Sequence, residues 1–210
     1  MHYSLDELAS KSPRGLAAAL EAVRMAQPKK TNYYDRAKGL KAMERHILGH
    51  LPDLLAGGKA ILDVGPGVGY FIELATAMGN TAVGIDATAS NRAQRAYQKV
   101  TKCLGLEVSY TGFHHYLEGE PFIYPDNSFD IVQFRGSLDA VLLSSVPPLA
   151  RQIEGLYALL GKILRRGGRT EIFHNITPDV DAITKSLQEG VPPGWKVEEE
   201  FTAHTRLVRV

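Results

Sequence analysis

Scarcity sets the first limits. There is one cysteine, Cys103, in 210 residues, so no intramolecular disulfide can form. Cys103 lies near a predicted helix end and reads as a small buried hydrophobe. Neither sign of charge is in excess: 24 Lys and Arg stand against 23 Asp and Glu, a net charge of +1. That balance argues against a surface built chiefly for nucleic acid or another polyanion. Long apolar runs are missing too. The longest, Ala140 to Ala150, is broken by Ser144-Ser145 and Pro147-Pro148 and is far too short to span a bilayer. The first eight residues lack a basic stretch followed by an apolar one, so no secretory signal is expected and the cytoplasm is the default compartment. There is no internal repeat and no low-complexity tract. What remains is an ordinary globular composition, long enough to bury a core without metal or disulfide.

The front of the chain reads as helical. Ser12-Pro13 has the form of a helix start, continued by the Ala- and Leu-rich run to Ala26. A second helix is predicted from Tyr34 to Leu55, with Leu40, Met43, Ile47, Leu51 and Leu54 at helical spacing and Pro52 placed to end or kink it. Residues 1–56 thus form an expected helical cap, and residues 57–210 the main body. There, short apolar strands alternate with helices. Strands are predicted at Ala60–Val64, Thr81–Ile85, Leu106–Tyr110, Phe129–Phe134 and Thr170–His174. Helices are predicted at Gly69–Met78, Thr88–Leu104, Leu149–Leu164 and Asp179–Glu189. The closing strands, Trp195–Phe201 and His204–Val210, are joined by so few residues that they must pair antiparallel. The expected architecture is an α/β, Rossmann-like doubly wound sheet of about seven strands with an antiparallel C-terminal strand.

Asp63-Val64-Gly65-Pro66-Gly67-Val68-Gly69 lies between the first strand and its helix. Glycines there permit a tight turn and close approach of a ligand to the main chain. Asp86 follows at the end of the second strand, where a carboxylate can accept hydrogen bonds from both hydroxyls of a ribose. A dinucleotide fingerprint would place its third glycine at Tyr70, and a phosphate-binding loop would need Gly-Lys-Ser/Thr. Neither is present, and no basic residue stands ready for a pyrophosphate. A ligand with a ribose and no phosphate fits better.

With these motifs the chain resembles the class I S-adenosylmethionine-dependent methyltransferases, type-11 group. Ile61 to Gly69 is similar to their first motif, Gly84-Ile85-Asp86 to their second, and Pro125-Asp126-Asn127-Ser128-Phe129-Asp130-Ile131-Val132 to the segment before their fourth strand. Leu160 to Arg169 is similar to the stretch entering their fifth strand, with Arg166 in place of a proline. The resemblance implies S-adenosylmethionine as cofactor. It implies that Gly65, Pro66, Gly67 and Gly69 line the amino-acid half with Asp63 nearby, that Asp86 holds the ribose, and that Ala87 and Thr88 lie beside the adenosine. The family's adenine-contacting Asp is missing from Gly112-Phe113-His114-His115, which leaves Phe113 or His114 to cover the ring, with Phe134 at the end of the fourth strand. An N-terminal Tyr or Arg closes over the cofactor's carboxylate in similar enzymes. Tyr33, Tyr34 and Arg36 are the candidates, and Tyr34 is taken as the site residue.

Methyl transfer from a sulfonium needs alignment and a water-poor site; a base is needed only if the acceptor must lose a proton. Ligands of such sheets lie beyond the carboxyl ends of the strands, so Asp139 after strand four and His174 after strand five are the catalytic candidates. Each has a plainer reading: Asp139 as a helix N-terminal carboxylate, His174 as a strand-end imidazole satisfied by backbone. Arg135 either meets an acidic substrate or makes a simple salt bridge. No His, Cys, Asp or Glu spacing suggests a metal. Nothing added to the fold suggests a nucleic-acid partner. The expectation is a methyltransferase for an oxygen or nitrogen of a small molecule. The alternative is a non-catalytic relative that binds S-adenosylmethionine, S-adenosylhomocysteine or a protein. The apolar helix Leu16 to Met25 packs either on the sheet or on a second subunit of a homodimer.

Overall fold

The computed structural model describes residues 3–143, 147–174, 180–201 and 203–210. Seven strands form one sheet in the order β3-β2-β1-β4-β5-β7-β6. They are β1 (Ala60–Val64), β2 (Thr81–Ile85), β3 (Val108–Ser109), β4 (Phe129–Arg135), β5 (Leu164–Phe173), β6 (Trp195–Phe201) and β7 (His204–Arg209). The expected α/β architecture is present, and β7 enters antiparallel between β5 and β6. By contact density the chain divides into two compact units: residues 1–59 with 66–110, and residues 60–65 with 111–210.

The first unit holds α1 (Leu5–Ser10), α2 (Leu16–Ala26), α3 (Thr31–Tyr34), α4 (Arg36–His50), a 3-10 turn at Pro52–Ala56, α5 (Tyr70–Ala77), β2, α6 (Arg92–Cys103) and β3. The expected 1–56 cap lies wholly inside it. Several boundaries move. Ser12-Pro13 does not begin α2: Leu16 donates to the Pro13 carbonyl in a turn, and Gly15, at φ +83°, leads into the helix. The single helix predicted over Tyr34 to Leu55 is three pieces. Asp35 is extended and accepts the Lys38 amide at 3.1 Å, which caps α4 and separates it from α3. Leu51 leaves helical geometry before Pro52, whose ring cannot continue an α-helix. The periodic residues still do what their spacing implies: Leu40, Met43, Ile47, Leu51 and Leu54 are all buried. Helix α2 packs on α6 with Leu16, Ala19 and Val23 buried. Helix α6 starts four residues later than expected because Asn91 and Gln94 form a reciprocal capping box.

The second unit holds β1, α7 (His114–Leu117), β4, α8 (Leu138–Leu143), α9 (Leu149–Ile163), β5, α10 (Val180–Glu189), β6 and β7. Strands β1, β4 and β5 run parallel, and Ile61, Leu62, Ile131, Val132, Phe134 and Ile172 are fully buried, as strands covered on both faces require. Strand β5 begins six residues earlier than predicted. Phe129 pairs with Leu164 and Ile131 with Arg169, so the Arg165–Gly168 stretch bulges out of the ladder, helped by Gly167 at φ +76°. The short helix α7 has no periodic signature and escaped prediction, while α8 carries Asp139 in its first turn, as the plainer reading of that residue expects.

Candidate functional site

In the first unit the loop after residue 65 turns through two glycines that differ in what they permit. Gly69 leads into α5 at φ +83°, and a Cβ there would strike Leu106 at 2.4 Å, so that glycine serves packing. Gly67, at φ +58°, is different. A Cβ on it would meet only the ring of Tyr33, at 3.8 Å. The absent side chain leaves main chain approachable beside an aromatic wall.

Asp86 ends β2 and accepts the Ala87 amide at 2.8 Å; the Gly67 amide of the same loop is near enough to pull its pKa down as well. Burial pushes its pKa up to about 6, against the pull of those two amides. Among the described residues no cation pairs with it. Its surroundings are aromatic: Tyr33 and Tyr97 meet edge to face at 5.4 Å, and burial raises the phenols of Tyr97, to about 12, and of Tyr110, with the Asp86 charge adding to both. A carboxylate with one amide bound still has acceptor positions left. The free acceptor positions therefore fit a neutral polyol such as a ribose, and the stretch at Gly67 fits the close approach that S-adenosylmethionine requires. Ala87 and Thr88 are exposed next to Asp86, with Thr88 Oγ1 donating to the Tyr110 carbonyl at 3.2 Å.

Tyr34, the residue expected to close over the cofactor, points elsewhere: its hydroxyl donates to the Pro28 carbonyl at 3.1 Å. Tyr33 takes the place beside the glycine loop, fixed by the Tyr70 hydroxyl, which donates to its carbonyl at 3.1 Å, and topped by Lys30 Nζ 5.0 Å from the ring centre. Adjacent residues in a helical turn point about 100° apart, which sequence spacing alone could not orient. Arg36 is committed to structure. It is buried and pairs with Glu73 of α5 and with the Lys11 carbonyl.

In the second unit, Asp63 is buried at the end of β1, where Gln133, its register partner on β4, donates to it at 3.3 Å. Gly65, at φ +77°, is held by packing: a Cβ would lie 2.5 Å from Ser137 Cβ, and Ser137 Oγ donates to the Val64 carbonyl. Phe113 and Phe134 are both buried and meet edge to face at 5.3 Å in a cluster with Tyr116 and Phe122. His114 is half-buried and lies against His115, ring centres 4.0 Å apart. Arg135 is exposed.

Asp139 and His174, 35 residues apart in sequence, come together. The Gly136 amide donates to the Phe173 carbonyl at 2.7 Å, which fastens the end of β4 to the end of β5. His174 Nδ1 then sits 3.6 Å from Asp139 Oδ1, with side chains 1% and 7% exposed. His174 Nε2 lies 3.1 Å from Thr205 Oγ1 of β7. Both carboxylate oxygens of Asp139 and Nδ1 of His174 are buried without a hydrogen-bond partner. Burial lowers the His174 pKa, opposed by the Asp139 charge, so the imidazole is neutral at pH 7. Thr205, Gln133 and Ser137 were not foreseen. Only Gln133 carried a signal, as a polar residue on an otherwise apolar strand.

Among the described residues no group of three or more His, Cys, Asp or Glu could hold a metal ion, and no helix is long and apolar enough to cross a membrane. The sequence profile of a methyltransferase-domain family, type 11, matches residues 62–170. No curated protein matches the chain in sequence. Similar solved structures include a protein from Pyrococcus horikoshii, with 14% identity, 83% of this chain and 89% of that one covered, and a TM-score of 0.54. An S-adenosylmethionine-dependent methyltransferase from Aquifex aeolicus has 13% identity, 81% and 98% coverage, and a TM-score of 0.53. One from Archaeoglobus fulgidus has 14%, 80% and 93%, and 0.50. At such identities these structures speak for the fold, whereas the profile spans more than half of the chain. The chain therefore belongs to the type-11 family of class I methyltransferases, whose cofactor is S-adenosylmethionine.

Proposed function

We propose that the protein transfers the methyl group of S-adenosylmethionine to an oxygen or nitrogen of a small molecule. The observation that carries this reading is Asp86: a carboxylate that no cation pairs among the described residues, accepting the Ala87 amide, with acceptor capacity to spare. In the first unit Asp86 accepts the ribose hydroxyls, and Gly67 leaves main chain open to the amino-acid portion, flanked by Pro66 and by Gly69, whose packing on Leu106 fixes the turn. Ala87 and Thr88 lie beside the adenosine, and Tyr33, in place of Tyr34, covers the carboxylate end. In the second unit Asp63 and Gly65 serve the amino-acid portion, and Phe113, His114 and Phe134 the ring side. The bound cofactor supplies an electrophilic methyl group that needs no further activation. The chain's own work is to hold the nucleoside, exclude water and receive the acceptor near Asp139 and His174. A small acceptor is supported by the balanced charge of the chain.

Calorimetric titration of the full chain tests the reading. S-adenosylmethionine should bind, NAD should not, and Asp86→Ala should weaken binding at least tenfold. Label from methyl-labelled S-adenosylmethionine should then appear in small-molecule products of a metabolite extract. Binding without any transfer would favour a non-catalytic relative; binding of NAD in its stead would overturn the cofactor assignment.

A further inference from the structure

Asp139 is the most exceptional polar group described in the second unit. Its carboxylate is buried, and neither oxygen has a hydrogen-bond partner. Buried carboxylates ordinarily take up a donor, because an unsatisfied charge in a water-poor place is costly. His174 Nδ1 stands 3.6 Å from Asp139 Oδ1, outside hydrogen-bond range, and itself has no hydrogen-bond partner. His174 is not loose. Its amide donates to the Ala203 carbonyl at 2.8 Å, and Thr205 Oγ1 is 3.1 Å from Nε2. When the Thr205 hydroxyl donates to Nε2, the ring proton sits on Nδ1 and faces Asp139. The pair then carries one net negative charge.

We propose that Asp139, positioned by His174 and Thr205, receives the methyl acceptor, and that the acceptor is an amine arriving as a primary or secondary ammonium. This deepens, and rests on, the reading of the protein as a small-molecule methyltransferase. A hydroxyl would give Asp139 a hydrogen bond and leave its charge unpaired. An ammonium gives it both a donor and the missing cation. The chemistry balances. Asp139 takes one proton from the ammonium and becomes a neutral acid. The freed nitrogen lone pair forms the new bond to the methyl carbon while the carbon–sulfur bond breaks and its electron pair goes to sulfur. The product leaves as the N-methylammonium, and Asp139 returns its proton to solvent. Asp139 is the catalytic residue in this scheme. His174 is a positioning residue, and Thr205 sets its tautomer.

The test uses the full chain with ring-labelled histidine, titrated with methylammonium and benzylammonium chloride and, in parallel, with methanol and benzyl alcohol. S-adenosylmethionine affinity of each variant is measured separately by calorimetry. In the wild type, an ammonium probe should shift the His174 ring resonances and the alcohols should not. In the isosteric Asp139→Asn variant the ammonium affinity should fall at least tenfold, with cofactor affinity changed less than twofold. Thr205→Val should move the His174 nitrogen shifts toward the other tautomer and weaken ammonium binding. Absence of any ammonium-induced shift, or equal response to the alcohols, overturns the proposal. So does loss of S-adenosylmethionine binding in Asp139→Asn, since the carboxylate would then hold the cofactor's own ammonium. A wild type that responds to ammonium but binds no S-adenosylmethionine would fail the methyltransferase reading instead, so the two failures are distinguishable.

Discussion

Two buried acids of the second unit are treated in opposite ways. Glu171 on β5 is fully buried and surrounded by donors: His204 Nε2 at 2.7 Å, Arg169 Nε at 2.5 Å and Arg206 Nε at 2.9 Å. Burial pushes its pKa up, but His204, Arg169 and Arg206 outweigh burial and hold it below the usual range. The His204 ring is also stacked on Phe173, its register partner, at 4.2 Å. Asp139 has none of this. Strand alternation assigns Glu171 and His174 to opposite faces, so the two arrangements do not compete. Glu171 is saturated by the fold itself, whereas Asp139 is left with the acceptor capacity that the proposed ammonium would fill.

The sharpest way to break that comparison is Glu171→Ala. It strands two arginines and a histidine in a half-buried cluster and should cost about 3–5 kcal/mol of stability, read by denaturant unfolding. An effect below about 1 kcal/mol would mean that the cluster is solvent-relieved, and the distinction from Asp139 would lose its meaning. Next in size is Asp86→Asn. Losing charge-assisted hydrogen bonds to two hydroxyls should cost about 1.5–3 kcal/mol of S-adenosylmethionine affinity, or roughly 10- to 150-fold. Wild-type affinity should also decline as pH falls through about 6, where the Asp86 carboxylate takes up its proton, and the variant should lack that decline. Asp139→Asn should have the reverse sign on stability. Removing an unpaired buried charge should leave the protein unchanged or about 1 kcal/mol more stable, visible as a raised melting temperature; clear destabilisation would make Asp139 a structural residue like Glu171.

The smallest expected effect is in pH. The native His174 pKa is lowered, so below about 6.5 the unfolded chain binds a proton that the native pair resists, and stability falls with falling pH from that point. Glu171 acts lower on the scale. With its native pKa depressed, its contribution is whole above 4.5 and is lost as pH falls through the native value. A stability profile of His174→Asn should lack the first decline and keep the second.

Much of this was legible in advance because it is local. A short apolar run bounded by glycines can only be a covered strand, and the alternation of such runs with amphipathic stretches imposes a parallel sheet. The glycine loop and Asp86 announced themselves because a tight turn and a strand-end acid need particular residues at particular spacings. The break at Pro52 was legible in its ring chemistry, whereas the one at Asp35 was overridden by the long apolar period. The bulge at Arg165–Gly168 depends on pairing with β4, which no local pattern records.

By itself, then, the sequence determined the fold class, through backbone patterns local to a few residues, and the family with its cofactor, through ordered motifs. Tertiary structure alone decided that Tyr33 and not Tyr34 faces Gly67, that Arg36 is consumed by Glu73, and that Asp139 meets His174 and goes without a hydrogen bond while Glu171 is saturated. Those outcomes are set by which side chains distant strands bring within a few ångströms, and by where water is excluded, neither of which is written in the spacing of residues along the chain.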